Sequence, residues 1–600
     1  MALHQFLSSS PMTHFTKQVS FSLEPSFVPR VVKAKGIATM SSNTTIVRRS
    51  ANFHPSIWKN EFIQSLSSEF MGETYVDRFN MLKKEVEGIM NHIIDDPLKQ
   101  LDLIDTLQRL GISYHFENEI KGILERRYRS DQGNNSCKKI DVYATALEFR
   151  LMRQHGFSVS PEVFNNFKDR TSHFSTYLCV DIKGMMSLYE ASFLSIEGEN
   201  ILEDAKNFTT NCLEKYITSS RNELDVAIVR HALELPLHWR VPRLEARWFI
   251  DIYERKAHMN PILLEIAKLD FNMVQSIHQE DLKYASKWWR SIGIAEKLSF
   301  ARDRLMESFM WTVGIGFQPE LGYFRRMSTK VNALITVIDD VYDVYGTLEE
   351  LELFTNVVEK WDIVAMEQLP DYMKLCFLAL YNTINDMTFE LLRDKGVNVI
   401  QCLKKSWVDL CKSYMLEAKW YHNGYKPTLQ EYLDNAWVSI SGTVILVHAY
   451  VLATSPMVKD DLESLENNID IFRWSSTILR LADDLGTSSD EQIRGDVPKS
   501  IQCYMNDTGA SEVDARKHIK YLIDETWKKL NKVAEDNSVF SQLFVEMAKN
   551  VSRTAQCMYQ YGDGHTIEHQ ETKDRVVSLL IQPIPTTTNI TCDNIEKLLL

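Results

Sequence analysis

From about residue 56 to near its end the chain places apolar residues three and four apart, as in Leu101, Ile104, Leu107 and Leu110, and rarely alternates them with period two. Such spacing draws one apolar stripe down an α-helix, and a chain that sustains it must bury those stripes by packing helix on helix. Residues that interrupt helices are scarce, 22 Gly and 16 Pro in 600 positions. The expected fold class is therefore all-α, with long helices and short loops. Helix ends are expected at Gly111, at Gly156 after ATALEFRLMRQH, and around Pro236, Pro242 and Pro261, which suggests a domain boundary near residues 255–265. Single cores stop growing near about 250 to 300 residues. At least two domains are expected, 48–258 and 259–600.

Charge and composition narrow the functional classes. The 67 Lys+Arg against 81 Asp+Glu give a net charge of −14, which disfavours nucleic acid as the main partner. Nine cysteines, without a close CxxC pair, suggest free buried thiols rather than a disulfide framework. The best apolar run, VILVHAYVLA at 444–453, is shorter than the about 20 residues that cross a bilayer and contains His448, so no membrane span is expected. Residues 1–47 are rich in Ser and Thr, carry Lys17, Arg30, Lys33 and Lys35, and contain one acid, Glu24. That composition fits an organellar transit peptide better than a secretory signal, with plain disorder as the competing reading.

Two acidic stretches carry the chemistry. In VIDDVYDVYG, 337–346, helical geometry sets Asp339 and Asp343 at i and i+4 on one face with Asp340 beside them, among Leu334, Ile335, Val337, Ile338 and Val341. Like charges that close repel, and burial adds to the cost, so a cation or cationic ligand is the natural remedy. A helix end emerging into solvent is the competing reading. An EF-hand does not fit, because neither a position-3 ligand nor a position-6 Gly follows. In LRLADDLGTSSDE, 479–491, Asp483, Thr487 and Glu491 fall at i, i+4 and i+8, three oxygen ligands on one face. Oxygen-only donors favour a hard cation such as Mg²⁺, which keeps water and substrate phosphate in its shell, and a phosphorylated substrate follows. Arg480, one turn before Asp483, either pairs with it or forks onto a phosphate. FARDRL, 300–305, offers Arg302 and Arg304 as candidate clamps if the fold brings them near the acids.

In this order and spacing the pieces resemble the plant terpene synthases: VIDDVYD resembles the DDxxD motif, Asp483, Thr487 and Glu491 the second metal motif, RDR the RxR element, and RRSANFHPSIW, 48–58, the RRx8W signature with Arg48, Arg49 and Trp58. The resemblance implies an N-terminal α-barrel domain and a C-terminal helical bundle around a deep pocket. It implies three Mg²⁺ ions, with Mn²⁺ as an alternative, held by Asp339, Asp343, Asp483, Thr487 and Glu491. It assigns diphosphate contacts to Arg302, Arg480 and Lys499, support of the site to Asp340, and closure to Arg304. Trp311 and Tyr559 become candidates for facing a carbocation, where a ring stabilises positive charge without offering a nucleophilic atom. His565 is a candidate for late steps. Each of these three is equally a core residue on spacing alone.

The leader, read as plastid-directed to the stroma, and RRx8W favour the C10 substrate geranyl diphosphate, with farnesyl diphosphate as the rival. Asn332, seven residues before Asp339 and so about two turns away, is a candidate to orient a water that captures a terpinyl cation; cineole and terpineol are then among the products, with linalool among the acyclic ones. Acyclic ocimene- or myrcene-type products stay open. No membrane or nucleic-acid partner is expected, and the working unit is expected to be a monomer. Chain-elongating prenyltransferases are disfavoured by the second motif's hydroxyl and distal glutamate, and a non-enzymatic helical scaffold by the cost of dense acids in buried helices.

Overall fold

The computed structural model describes residues 48–131, 141–454, 467–495, 497–567 and 569–586, with Leu462 and Leu465. The transit-peptide reading of 1–47 lies outside these residues. Among the described residues helices build the whole fold, and the one β-feature is an isolated bridge between Lys168 and Phe174.

The stripe read at 101–110 is real. Helix α1 (Glu73–His92) precedes α2 (Pro97–Arg109), whose N-cap Asp96 accepts from Lys99 N and whose buried residues are Leu101, Leu103, Ile104 and Leu107. Each such apolar side chain withdrawn from water stabilises by about 1.5 to 3 kcal/mol. Helices α3 (Val142–Gln154), α4 (Ile182–Ser192) and α5 (Asn200–Ser219) close a smaller core that includes Phe149, Phe164, Leu188 and Leu213. Gly111 and Gly156 adopt positive φ at helix ends, as expected. Pro242 and Pro261 do the opposite of ending helices. They open α6 (Pro242–Glu254) and α7 (Pro261–Ile292) at the first turn, where a missing N–H costs nothing.

The expectation of free thiols fails at Cys179 and Cys212, which form a disulfide. The turn Thr176–Val180 lies across α5 and brings their Cα atoms to 5.6 Å, a proximity that a 33-residue separation hides from the sequence. Cys376, Cys411, Cys503 and Cys557 are free thiols.

The later helices surround the site. They are α8 (Leu305–Ile315), α9 (Gly322–Asp340), α10 (Leu348–Lys360), α11 (Ile400–Asn423), α12 (Leu429–Ser439), α13 (Gly442–Ala453), α14 (Ile469–Arg494), α15 (Ser500–Thr508), α16 (Glu512–Glu535) and α17 (Gln542–Met558). Neighbour packing runs α8 to α9, α9 to α13, α13 to α14, α14 to α17 and α17 back to α8, a closed ring. Leu429–Ala453 passes a length and hydropathy test for a membrane span, yet 72% of its most apolar window is buried in the fold. Ser441, at φ 66°, breaks it into α12 and α13. It is core.

One apolar cluster runs from Trp58 through α2 and α7 into the ring and on to Ile584. Trp58, 6% exposed, thereby anchors the segment 48–58 to the body of the protein.

Candidate active site

A cleft of about 1060 Å³, counting its open mouth, occupies the centre of the ring. Both acidic stretches open onto it.

The first stretch departs from the expected geometry. Helix α9, buried on nearly all sides, stops at Asp340, and Val341–Tyr345 form a π-turn that widens the backbone before Gly346. Gly346 N donates to Val341 O at 2.8 Å, and a Cβ there would meet Leu351 at 2.6 Å, so only glycine lets the chain turn into α10. Asp339 and Asp343 are therefore not a simple i, i+4 pair on one α-helix. Asp339 is half-buried, Asp340 is buried and Asp343 stands exposed at the mouth.

Arg302 holds the buried end of this cluster. Its backbone N donates to Asp340 Oδ2 at 2.6 Å and its Nη2 to Asp339 Oδ2 at 2.6 Å. Nε lies 2.9 Å from Asp340 Oδ1, an ion pair whose angle does not make a directed hydrogen bond. Burial pushes the Asp340 carboxyl up to about 7, against the pull of Arg302 and with the help of Asp339. Tyr414 from α11 lines the cleft beside this cluster, and burial, with the charges of Asp339 and Asp343, raises its hydroxyl above the ordinary range.

The second stretch keeps its expected geometry. Helix α14 runs unbroken through 483–491, so Asp483, Thr487 and Glu491 face the cleft together, and Arg480 Nη1 reaches Asp483 Oδ2 at 3.0 Å and Asp484 Oδ1 at 3.3 Å. Burial raises the Asp483 carboxyl; Arg480 opposes this, while Glu491, Asp484 and Asp563 add to it. Asp484 is fully buried and turned away from the cleft lining, accepting from Tyr432 Oη at 2.9 Å and from Ser500 N at 3.1 Å, which ties α14 to α12 and to the start of α15. A Cβ on Gly486 would meet Tyr559 Cβ at 2.9 Å and Gly562 O at 3.0 Å. The glycine lets the end of α17 press against α14, which brings Tyr559 beside Asp483.

Thirteen residues singled out from the sequence line this cleft: Asp339, Asp340, Asp343, Asp483, Thr487, Glu491, Arg302, Arg480, Lys499, Trp311, Asn332, Tyr559 and His565. Trp311 and Tyr559 stand with ring centroids 6.2 Å apart. Asn332 is buried, donates weakly to Ser308 O at 3.4 Å, and has no hydrogen-bond partner at Oδ1 among the described residues. His565 Nε2 lies 3.0 Å from Thr336 Oγ1; burial, with Arg302 and Arg304 nearby, holds its pKa down to about 3, so the ring is neutral at pH 7.

Arg304 does not line the cleft, against the expectation of a substrate contact. Its donors go to backbone carbonyls: Thr566 O at 2.8 Å, His54 O at 2.9 Å and Asp303 O at 2.8 Å. It staples the segment 48–58 to the loop after α17, both of which carry cleft residues. Arg48 anchors the same segment, with Nη1 and Nη2 on the Glu350 carboxylate at 2.7 and 2.8 Å and Tyr345 and Tyr372 rings at 4.6 and 4.9 Å. Arg49 donates to Asp343 O at 3.0 Å.

Sequence reading missed Phe53, Tyr414, Glu417, Asp563 and Thr566, which also line the cleft. Phe53 sits inside the RRx8W segment, and Asp563 between two glycines beside Tyr559 and His565, so both had a local hint. Tyr414 and Glu417 had none.

Among the described residues no three His, Cys, Asp or Glu side chains converge on one point that a metal ion fills. Asp339 and Asp340 turn instead to Arg302, and Asp483 to Arg480. The donor set nonetheless fits a hard divalent ion, because it is all oxygen, it is crowded with anionic charge, and Thr487 Oγ1 is buried without a hydrogen-bond partner among the described residues. A Mg²⁺ ion seated there would be held by these carboxylates and by Thr487, with water and substrate phosphate completing its shell.

Residues 57–233 match the family model described as terpene synthase, N-terminal domain, and residues 290–529 the one described as terpene synthase family, metal binding domain. A chloroplastic myrcene synthase from Quercus ilex is 57% identical over 595 residues, 98% of this chain and 99% of that protein. A (−)-α-terpineol synthase from Vitis vinifera is 59% identical over 561 residues, 94% of this chain and 95% of that protein. Among solved structures, limonene synthase with 2-fluorolinalyl diphosphate superposes with a TM-score of 0.88 at 47% identity, covering 90% of this chain and 100% of that one. Isoprene synthase from grey poplar leaves, in complex with three Mg²⁺ ions and dimethylallyl-S-thiolodiphosphate, gives 0.81 at 46% identity, covering 88% and 99%.

Proposed function

The chain belongs to the terpene synthase family, an enzyme family with a metal-binding domain, and from that premise we propose that it ionises geranyl diphosphate and turns the resulting cation into a C10 terpene, releasing diphosphate. The observation that carries this reading is that two oxygen-bearing acidic walls and the cations Arg302, Arg480 and Lys499 open onto one cleft that the apolar and aromatic side chains of Phe53, Trp311, Ile335, Ile445, Leu479 and Tyr559 also line.

We assign Asp339 and Asp343 to one wall of the metal site and Asp483, Thr487 and Glu491 to the other, with Mg²⁺ as the ion, three as in the isoprene synthase complex, and Mn²⁺ as the alternative. Bound Mg²⁺ supplies positive charge opposite the departing diphosphate oxygens. Arg302, Arg480 and Lys499 take the rest of that charge, and Asp340 fixes Arg302 through both its backbone and its guanidinium. Phe53, held by the anchored segment 48–58, excludes water that would quench the cation. Trp311 and Tyr559 offer ring faces. The neutral His565 is poised to accept a proton at the end of the sequence, and Asn332 Oδ1 to hold a water for cation capture, which favours an oxygenated cyclic product over an acyclic hydrocarbon.

The leader composition and the chloroplastic relative support a plastid, stromal location, and we take the working unit as a monomer divided into domains 48–258 and 259–600. Gas chromatography of products from geranyl and farnesyl diphosphate, each with Mg²⁺, tests the reading. Volatile C10 products from the first support it; turnover of farnesyl diphosphate alone refutes the substrate.

A further inference from the structure

We propose that Glu417 is a positioning residue that holds Lys499 and Arg480 where the substrate's diphosphate must meet them, a role that rests on the diphosphate-binding reading above. Glu417 projects from α11 into the cleft and is 4% exposed. A buried carboxylate lining a pocket that must accept an anion repels that anion and stays only if its charge is engaged. Its contacts account for it. Oε1 accepts from Asn435 Nδ2 at 3.0 Å and from Ser439 Oγ, both on α12. Oε2 faces Lys499 Nζ at 3.8 Å.

Ser439 extends the arrangement, because its Oγ also accepts from Arg480 Nη2 at 3.4 Å. A hydroxyl that donates to a carboxylate and accepts from a guanidinium relays the carboxylate's orientation to the cation. One buried acid thus bears on both cations, directly on Lys499, where Glu491 also acts, and through Ser439 on Arg480. Lys499 needs such a guide: it precedes α15 on the segment after Gly495, and its four-carbon stem has many rotamers to lose. Asp483 and Asp484 fix Arg480 from its other side.

The test measures binding of inorganic diphosphate in saturating Mg²⁺ to the wild type, Glu417→Gln, Lys499→Met and the double variant, with KM and kcat for geranyl diphosphate alongside. Glutamine keeps the shape and the Ser439 and Asn435 bonds but not the charge. Glu417→Gln is expected to weaken diphosphate binding roughly tenfold to a hundredfold, the worth of one contact to a charged group, and to raise KM more than it lowers kcat. In the Lys499→Met background the same change is expected to cost little more, because its partner is already gone. Ser439→Ala, which cuts only the relay, is expected to give a smaller loss. Losses that add in the double variant, or diphosphate binding tighter in Glu417→Gln, overturn the proposal. A wild type that binds no diphosphate at any Mg²⁺ concentration overturns instead the reading on which it rests.

Discussion

Replacing Glu350 by Gln tests how the N-terminal segment closes the cleft. The Arg48–Glu350 pair makes two charge-assisted hydrogen bonds at 2.7 and 2.8 Å, with the side chains 20% and 15% exposed. A hydrogen bond to a charged group is worth about 1.5 to 3 kcal/mol and an exposed pair under about 1. Partial exposure places this pair between them, at about 1 to 2 kcal/mol. Glutamine at this position still accepts from Thr347 N, so the capping box at the start of α10 survives. Arg48 also keeps Tyr345 O and its two rings. The loss therefore falls on docking of 48–58 rather than on the fold, and raises the undocked fraction about 5- to 30-fold. Trypsin cleavage after Arg48 and Arg49, read by mass spectrometry, follows that fraction when opening is fast. Cleavage should rise by the same factor, the melting temperature should hold, and water-quenched alcohols should grow among the products as Phe53 leaves the cleft. Unchanged cleavage with a fallen melting temperature would refute the reasoning and make Glu350 only a helix cap.

Two further outcomes are expected. Asn332→Ile removes a buried amide oxygen that has no hydrogen-bond partner among the described residues, so oxygenated products should vanish and hydrocarbons remain; gas chromatography showing an unchanged product ratio would sink water capture at Asn332. His448, buried with Nδ1 on Val444 O at 2.8 Å, has its pKa held down to about 4 by burial, below the unfolded 6.5. A depressed folded pKa means stability is complete above 6.5 and is lost as pH falls toward 4, about 2 kcal/mol of it by pH 5. Denaturant melts between pH 7 and 5 should fall accordingly, and His448→Leu should flatten the slope.

The acidic walls were legible because helical spacing alone carries them. Asp483, Thr487 and Glu491 needed nothing but an unbroken α14. Asp339 and Asp343 were found as a pair, but the π-turn that separates them depends on Gly346 packing against Leu351, a contact no local pattern announces. The prolines at 242 and 261 were seen and misassigned, since proline marks a helix start as readily as an end. Arg304 was legible as a charge and not as a staple, because its partners are backbone carbonyls 250 and 262 residues away. Glu417 and Tyr414 reach the cleft by the register of α11 against its neighbours. That register is set by packing, which one sequence read alone does not contain.

The central claim is that both acidic walls act together on a metal-bound diphosphate. Titrating inorganic diphosphate into the wild type, Asp339→Asn and Asp483→Asn, each with and without Mg²⁺, tests it most directly. Binding should require Mg²⁺ and should be lost on substitution in either wall. Binding that ignores Mg²⁺, or that survives the loss of one wall, would contradict the account.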